Sequence, residues 1–107
     1  MSFERDFNEP KDRYFAAEDL DFTSGDSPVV LDVSATIVVG SIDGEIICRN
    51  TSGNVGNILV EFSSDGTNYD SQFTVFNDDS FSLYGLKIKK IRITHSGTDS
   101  GYRVFAR

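Results

Sequence analysis

The sequence predicts an all-β chain: a single antiparallel β-sandwich, jelly-roll or immunoglobulin-like, of roughly seven or eight short strands with an extended N-terminal arm. Three observations predict it. From residue 29 onward the apolar residues alternate with polar ones instead of recurring every three or four positions. The residues in those stretches are Val, Ile, Phe, Thr and Tyr, which suit a pleated and half-buried surface. Turn-forming clusters of Gly, Asn, Asp and Ser recur at roughly 8 to 12 residue intervals, the spacing of a sandwich.

The elements follow in order. "PVVLDV" places Val29, Leu31 and Val33 on one face and Asp32 on the other. "ATIVVGSI" is a second apolar run, and Asp43 and Gly44 predict a tight turn into "EIICRN", making a hairpin. "NTSGNVGN" is a loop, and "NILVEF" puts Ile58, Val60 and Phe62 inward with Glu61 outward. "SQFTVF" and "SFSLYGL" are short strands divided by the turn "NDD". In "LKIKKIRIT", Leu86 and Ile88 share one parity and Ile91 and Ile93 the other, so one strand with a bulge between Lys89 and Lys90 is expected. "YRVFAR" closes the chain, alternating Tyr102, Val104 and Ala106 with Arg103, Phe105 and Arg107.

Residues 1–28 differ in character and form an N-terminal arm with a first strand, ahead of a sandwich over 29–107. Phe3, Phe7, Tyr14, Phe15 and Phe22 are scattered there among acids. "PKDRYFAAEDL" has helix-forming residues, but residues 13–22 read better as extended chain. Phe3 and Phe7 predict an arm that gains order in a groove of this subunit or of a neighbour.

Composition narrows the function. A chain of 107 residues, 38% hydrophobic and 25% charged, makes one globular domain. The apolar runs are far shorter than the roughly 20 residues a membrane helix needs, so no membrane partner is expected. "MSFERDFNEP" has neither the basic nor the apolar region of a secretory signal, which predicts folding in a cytoplasm. A net charge of −7 argues against nucleic acid. The charge is also divided: residues 1–28 and 29–85 are acidic, whereas 86–107 hold six bases and the single acid Asp99. Such separation predicts acidic surfaces paired with basic ones, within the molecule or between copies. The basic strand around Lys87, Lys89, Lys90 and Arg92 reads either as an edge guard or as a contact surface. The lone Cys48, inside "EIICR", is expected to be a buried hydrophobe.

No catalytic constellation emerges. Asp65, Asn68, Tyr69 and Asp70, in "SSDGTNYDS", form a candidate ligand loop that superficially resembles a calcium loop. The EF-hand pattern requires Glu where Gln72 stands, so the segment reads chiefly as a turn in which Asn68 accepts positive φ and Tyr69 covers the hairpin end. His95 is the only histidine and has no nucleophile elbow to serve. No Gly-rich loop has phosphate-binding spacing. The chain is therefore expected to be no enzyme and to need no cofactor or metal.

On the path "SPVVLDV", "GNILVEFSSDGTNYDS", "SFSLYGLKIKKIRIT" and "DSGYRVFAR", the sequence resembles small virion structural proteins of tailed bacteriophages, the subunits that decorate or cement capsids. It also resembles discoidin-like and fibronectin-like modules that bind sugars or proteins, although it lacks Trp. The first resemblance implies a non-enzymatic capsid decoration subunit in the virion, homo-oligomeric with a trimer favoured. Its partners would be the major capsid protein or other virion proteins, contacted through Phe3, Phe7, Tyr14, Phe15 and the basic residues named above. A carbohydrate-binding adhesion module using Tyr69, and a head-to-tail connector subunit, are the alternatives.

Overall fold

A computed structural model describes residues 14–37, 41–49 and 53–107. Eight strands lie among these residues: β1 (Phe15–Phe22), β2 (Val29–Asp32), β3 (Ile42–Cys48), β4 (Ile58–Ser63), β5 (Phe73–Val75), β6 (Asp79–Leu86), β7 (Lys90–His95) and β8 (Ser100–Ala106). They form two four-stranded sheets, sheet A in the order β1-β8-β3-β6 and sheet B in the order β2-β7-β4-β5. All pairings are antiparallel. Every connection except β4–β5 crosses from one sheet to the other, the double Greek-key course of a jelly roll. Of the two expected sandwich types, this is the one formed.

Alternation builds the core. Ile46, Cys48, Tyr102, Val104 and Ala106 of sheet A meet Leu31, Ile58, Val60, Ile91 and Ile93 of sheet B, all buried. Phe62, Phe73 and Phe81 bridge the sheets beside β5 and β6, with centroids 4.7 to 6.1 Å apart. Cys48 lies in this interior, its S–H directed at the Gly56 carbonyl 3.5 Å away, and burial pushes its thiol pKa up. We expect a thiol reagent to leave Cys48 unmodified in the native protein and to modify it fully in concentrated urea; rapid native reaction would contradict its burial.

Several local expectations are corrected. Asp43 and Gly44 do not turn the chain: they lie within β3, where Gly44 faces Ala106 of β8 on one side and Leu83 of β6 on the other. The expected bulge between Lys89 and Lys90 is absent, because Leu86 ends β6 in sheet A and Lys90 begins β7 in sheet B. The parity change marks a crossing between sheets. A bulge does occur nearby, where Tyr84 and Gly85 oppose Asp43: the register slips between Ile42/Leu86 and Gly44/Leu83. Gly85 adopts φ 63° there, and its N–H donates to Asp43 Oδ1 at 2.7 Å. Nor can Lys90 and Arg92 guard an edge, since β7 is flanked by β2 and β4.

The preference for extended chain over 13–22 agrees with β1. This strand pairs along β8 from Phe15/Ala106 to Phe22/Ser100, so residues from Phe15 on are part of the sandwich. Phe3 and Phe7 lie outside the described residues, as does part of the "ATIVVGSI" run.

Candidate functional site

Two surfaces concentrate the candidate residues. The first is the outer face of sheet B, where the β4–β5 loop folds back over the strands. Asp65 organises that loop. Its Oδ1 accepts from the N–H groups of Thr67 (2.7 Å) and Asn68 (2.8 Å) and from Ser63 Oγ (3.1 Å), while Oδ2 accepts from Asn68 Nδ2 (2.9 Å). These donors hold the Asp65 carboxyl well below the usual carboxylate range, the backbone N–H of Asn68 first. Gly66, rather than Asn68, supplies the positive φ, at 86°. The segment is thus an Asx-type turn whose carboxylate is spent on its own backbone.

Tyr69 does not sit at the hairpin tip. Its ring lies over Arg92, with the guanidinium carbon 4.0 Å from the centroid. Arg92 in turn makes a bidentate pair with Glu61, its cross-strand neighbour, at 2.8 and 3.1 Å. Loop and basic strand, two separate expectations of the sequence, therefore meet in one stack of Glu61, Arg92 and Tyr69. Arg92 is engaged within the chain, and one Tyr69 face is covered. Asp70 is exposed, its N–H donating to the Phe62 carbonyl at 2.9 Å. Lys87 and Lys89 are exposed on the crossing between sheets and Lys90 is half-buried on β7.

The pair makes stability depend on pH. The Arg92 hydrogen bond lowers the Glu61 pKa from its ordinary 4.5. A lowered folded value means that the contribution is complete above the unfolded pKa and is lost as pH falls through the folded one. Glu61→Gln should therefore cost about 1 kcal/mol at neutral pH, with the deficit shrinking as the pH falls below 4.5. Urea unfolding of both proteins at several pH values checks this; a deficit that stays constant in acid would refute it.

The second surface, on the outer face of sheet A, was foreseen from the sequence only in Tyr14. Two cross-strand rows build it: Ala16, Phe105 and Glu45 in one, Glu18, Arg103 and Ile47 in the other. Together they line a groove of about 350 Å³. Phe105 remains 45% exposed and Ile47 is half-buried, while Arg103 pairs with Glu18 at 3.2 Å. Tyr14, 55% exposed, stacks on Phe105 with centroids 5.5 Å apart. Phe15, one residue on, turns the other way and packs against the core. Charges that the sequence separates are partly paired on the two faces: Arg92 and Arg103 from the basic segment 86–107 meet Glu61 and Glu18 from the acidic segments before it.

His95 bridges its own turn, accepting the Gly97 N–H at Nδ1 (3.0 Å) with Nε2 2.9 Å from Asp99 Oδ1. Among the described residues, no group of three or more His, Cys, Asp or Glu side chains is placed to hold a metal ion. No described helix is long and apolar enough to cross a membrane.

No protein-family model matches the chain, and no curated protein matches it. Among solved structures, it is similar to one from Bacillus endospore appendages, described as forming a novel family of disulfide-linked pili. The TM-score is 0.52 at 11% identity, over 99% of this chain and 96% of that one. At that identity the likeness is one of fold: the described residues form an eight-stranded β-sandwich, a fold shared with that pilus protein.

Proposed function

We propose that this chain is a non-enzymatic structural subunit that assembles with copies of itself through the outer face of sheet A. The observation that carries the reading is the groove there, where Phe105 and Ile47, with Tyr14 stacked on Phe105, lie accessible beside an ion pair. Full burial of an aromatic or aliphatic side chain at such a contact contributes about 1.5 to 3 kcal/mol. Repetition over a symmetric assembly multiplies weak contacts into avidity. The fold shared with a pilus protein supports the same reading. Disulfide linkage is not part of it, since the single thiol, Cys48, is buried.

Capsid decoration in a virion, as a trimer bound to a major capsid protein, is the specific form that the sequence resemblance implies; a filament subunit is the form that the structural likeness adds. Both need self-association. Adhesion to glycans through Tyr69 has less support, because Arg92 already occupies a face of that ring.

Light scattering over a range of protein concentrations, at two salt concentrations, tests the reading. A mass that rises to a defined multiple of 11.9 kDa supports it. A mass fixed at the monomer value throughout would refute it.

A further inference from the structure

We propose that the open edge of β6 is a pairing site for β6 of a second copy of this chain, joined antiparallel about Phe81. This contact lies on the edge of sheet A, apart from the groove on its face, and so goes beyond the assembly reading above.

Four strands end the two sheets, and three of them are guarded. β1 carries Glu18, Asp19 and Asp21 and slips register before Phe22. β2 follows Pro28 and has four residues, one of them Asp32, while β5 has three. Charge, shortness, proline and bulges are the devices that keep an edge from pairing. β6 is eight residues long with Asp79 its single charge, and no described strand lies along its outer side. Phe81 stays 37% exposed on this strand although it packs on Phe73 and Phe62, at 4.7 and 6.1 Å.

Hydrogen-bond direction identifies which groups the edge offers. Asp43 exchanges both backbone hydrogen bonds with Arg107 at 2.8 Å, and Arg49 N–H donates to the Gly101 carbonyl, so the odd-numbered residues of β3 bond towards β8. Antiparallel strands alternate in this respect; Gly44, Ile46 and Cys48 therefore bond towards β6, engaging Leu83, Phe81 and Asp79. Ser80 and Ser82, lying between these, turn their N–H and C=O groups to the open edge. Asp79 Oδ1 holds the Ser80 N–H at 2.8 Å, which leaves the Ser82 N–H and both carbonyls for a partner.

A second β6 fits this edge better than any other described strand of the chain. The regular stretch before the bulge at Tyr84 and Gly85 is 79–83, and its centre is Phe81. Antiparallel pairing about that centre sets the Ser82 N–H against the Ser80 carbonyl of the other copy, twice by symmetry. It brings the two Phe81 residues together as a non-hydrogen-bonded pair, the closer kind, with Cα atoms about 4.5 Å apart, and covers their exposed flanks. The two Asp79 residues then stand four positions apart along the pair, about 14 Å, beyond the roughly 8 Å screening length at physiological salt. A parallel pairing would set them side by side, and β1 as partner would add three carboxylates.

Amide hydrogen exchange on the isotope-labelled full-length protein tests this, at a concentration where light scattering shows association and again after dilution to the monomer. The expected result is a Ser82 amide that is protected in the associated form and loses that protection in the monomer. Two double variants at the exposed positions 80 and 82 read the register. Ser80→Lys with Ser82→Lys sets like charges opposite one another across the pair and should weaken association about tenfold. Ser80→Glu with Ser82→Lys sets opposite charges there and should associate at least as tightly as the parent. A Ser82 amide that exchanges freely within an oligomer would overturn this inference and leave assembly through the sheet A groove standing. Protection that survives dilution to the monomer would mean that the chain covers this edge itself, and overturns the pairing equally. So would equal weakening by both variants. A protein that stays monomeric at every concentration would overturn both readings.

Discussion

Gly44→Ala is expected to lower the stability of the fold by about 3 kcal/mol or more, at or beyond the upper end of ordinary overpacking. A Cβ at this position would lie 1.9 Å from the Phe105 carbonyl oxygen and 2.7 Å from the Ala106 Cα. Real Cβ contacts do not come that close, and both obstacles are backbone. A flexible side chain could swing aside; a strand held in ladders on both edges cannot. β3 is an interior strand, pairing β8 through Gly44/Ala106 and β6 through Gly44/Leu83, so any shift that accommodates the methyl group disturbs two pairings. Gly85→Ala makes a useful contrast. Nothing lies within 4 Å of its Cβ, and only the positive φ of 63° opposes it. That substitution should cost about 1 kcal/mol. Urea unfolding midpoints of the two variants, monitored by near-ultraviolet circular dichroism, should differ clearly. Equal midpoints, or a Gly44→Ala protein as stable as the parent, would show that the strands do not approach as closely as described.

Gly44 also illustrates how far the sequence could be read. Asp-Gly between apolar runs is a strong local sign of a hairpin turn, but a second use of glycine, close approach of two backbones, has the same local appearance. Only the partner strand tells them apart, and Ala106 is 62 residues away, from 44 to 106. The Leu86 to Ile93 stretch has the same difficulty. Its parity change was legible, whereas its cause was not, because a bulge within one strand and a crossing between two sheets both reset which residues point inward. By contrast, the alternation in Ile58–Phe62 and Tyr102–Ala106 predicted the buried face correctly, since burial on one side of a strand follows directly from the pleat. The Asp65 turn was legible for a similar reason: its hydrogen bonds span no more than three residues.

The sheet A groove could not be found this way. Its lining comes from residues 16–18, 45, 47 and 103–105, which meet only after β1, β3 and β8 have paired. The available traces were Tyr14, already expected to contact a partner, and Phe105, an aromatic sharing the outward parity of Arg103 and Arg107 in "YRVFAR". An outward aromatic in an otherwise charged row has two readings, chance exposure or a contact surface. Tyr14 stacked upon it and Ala16 beside it, all on the same face, favour the second.

The substitution expected to cost most within the core is Phe22→Ala, at about 3 to 5 kcal/mol. Phe22 is fully buried at the end of β1, where the register with β8 slips between Asp19/Tyr102 and Phe22/Ser100. The extra residue on β1 is what turns this ring inward. There it meets Tyr102 edge-on, with centroids 5.3 Å apart at 82°, and lies 6.1 Å from the His95 ring on sheet B. One side chain therefore ties the first strand to the last and sheet A to sheet B. Truncation leaves a cavity that strands fixed by backbone pairing cannot collapse to fill, and it also removes an aromatic pair worth about 0.5 to 1.5 kcal/mol beyond area burial. A domain of this length has a total stability of about 5 to 15 kcal/mol, so the variant should populate unfolded chains at physiological temperature or fail to accumulate. Phe22→Leu, which keeps most of the volume, should retain a cooperative transition with a loss of about 1 to 2 kcal/mol. Phe105→Ala, on the groove side of the same sheet, should change folding stability by less than about 1 kcal/mol while weakening association. Thermal melts of the three proteins separate core from surface: a Phe22→Ala protein that melts with the parent would mean that the register slip in β1 does not deliver this ring to the core.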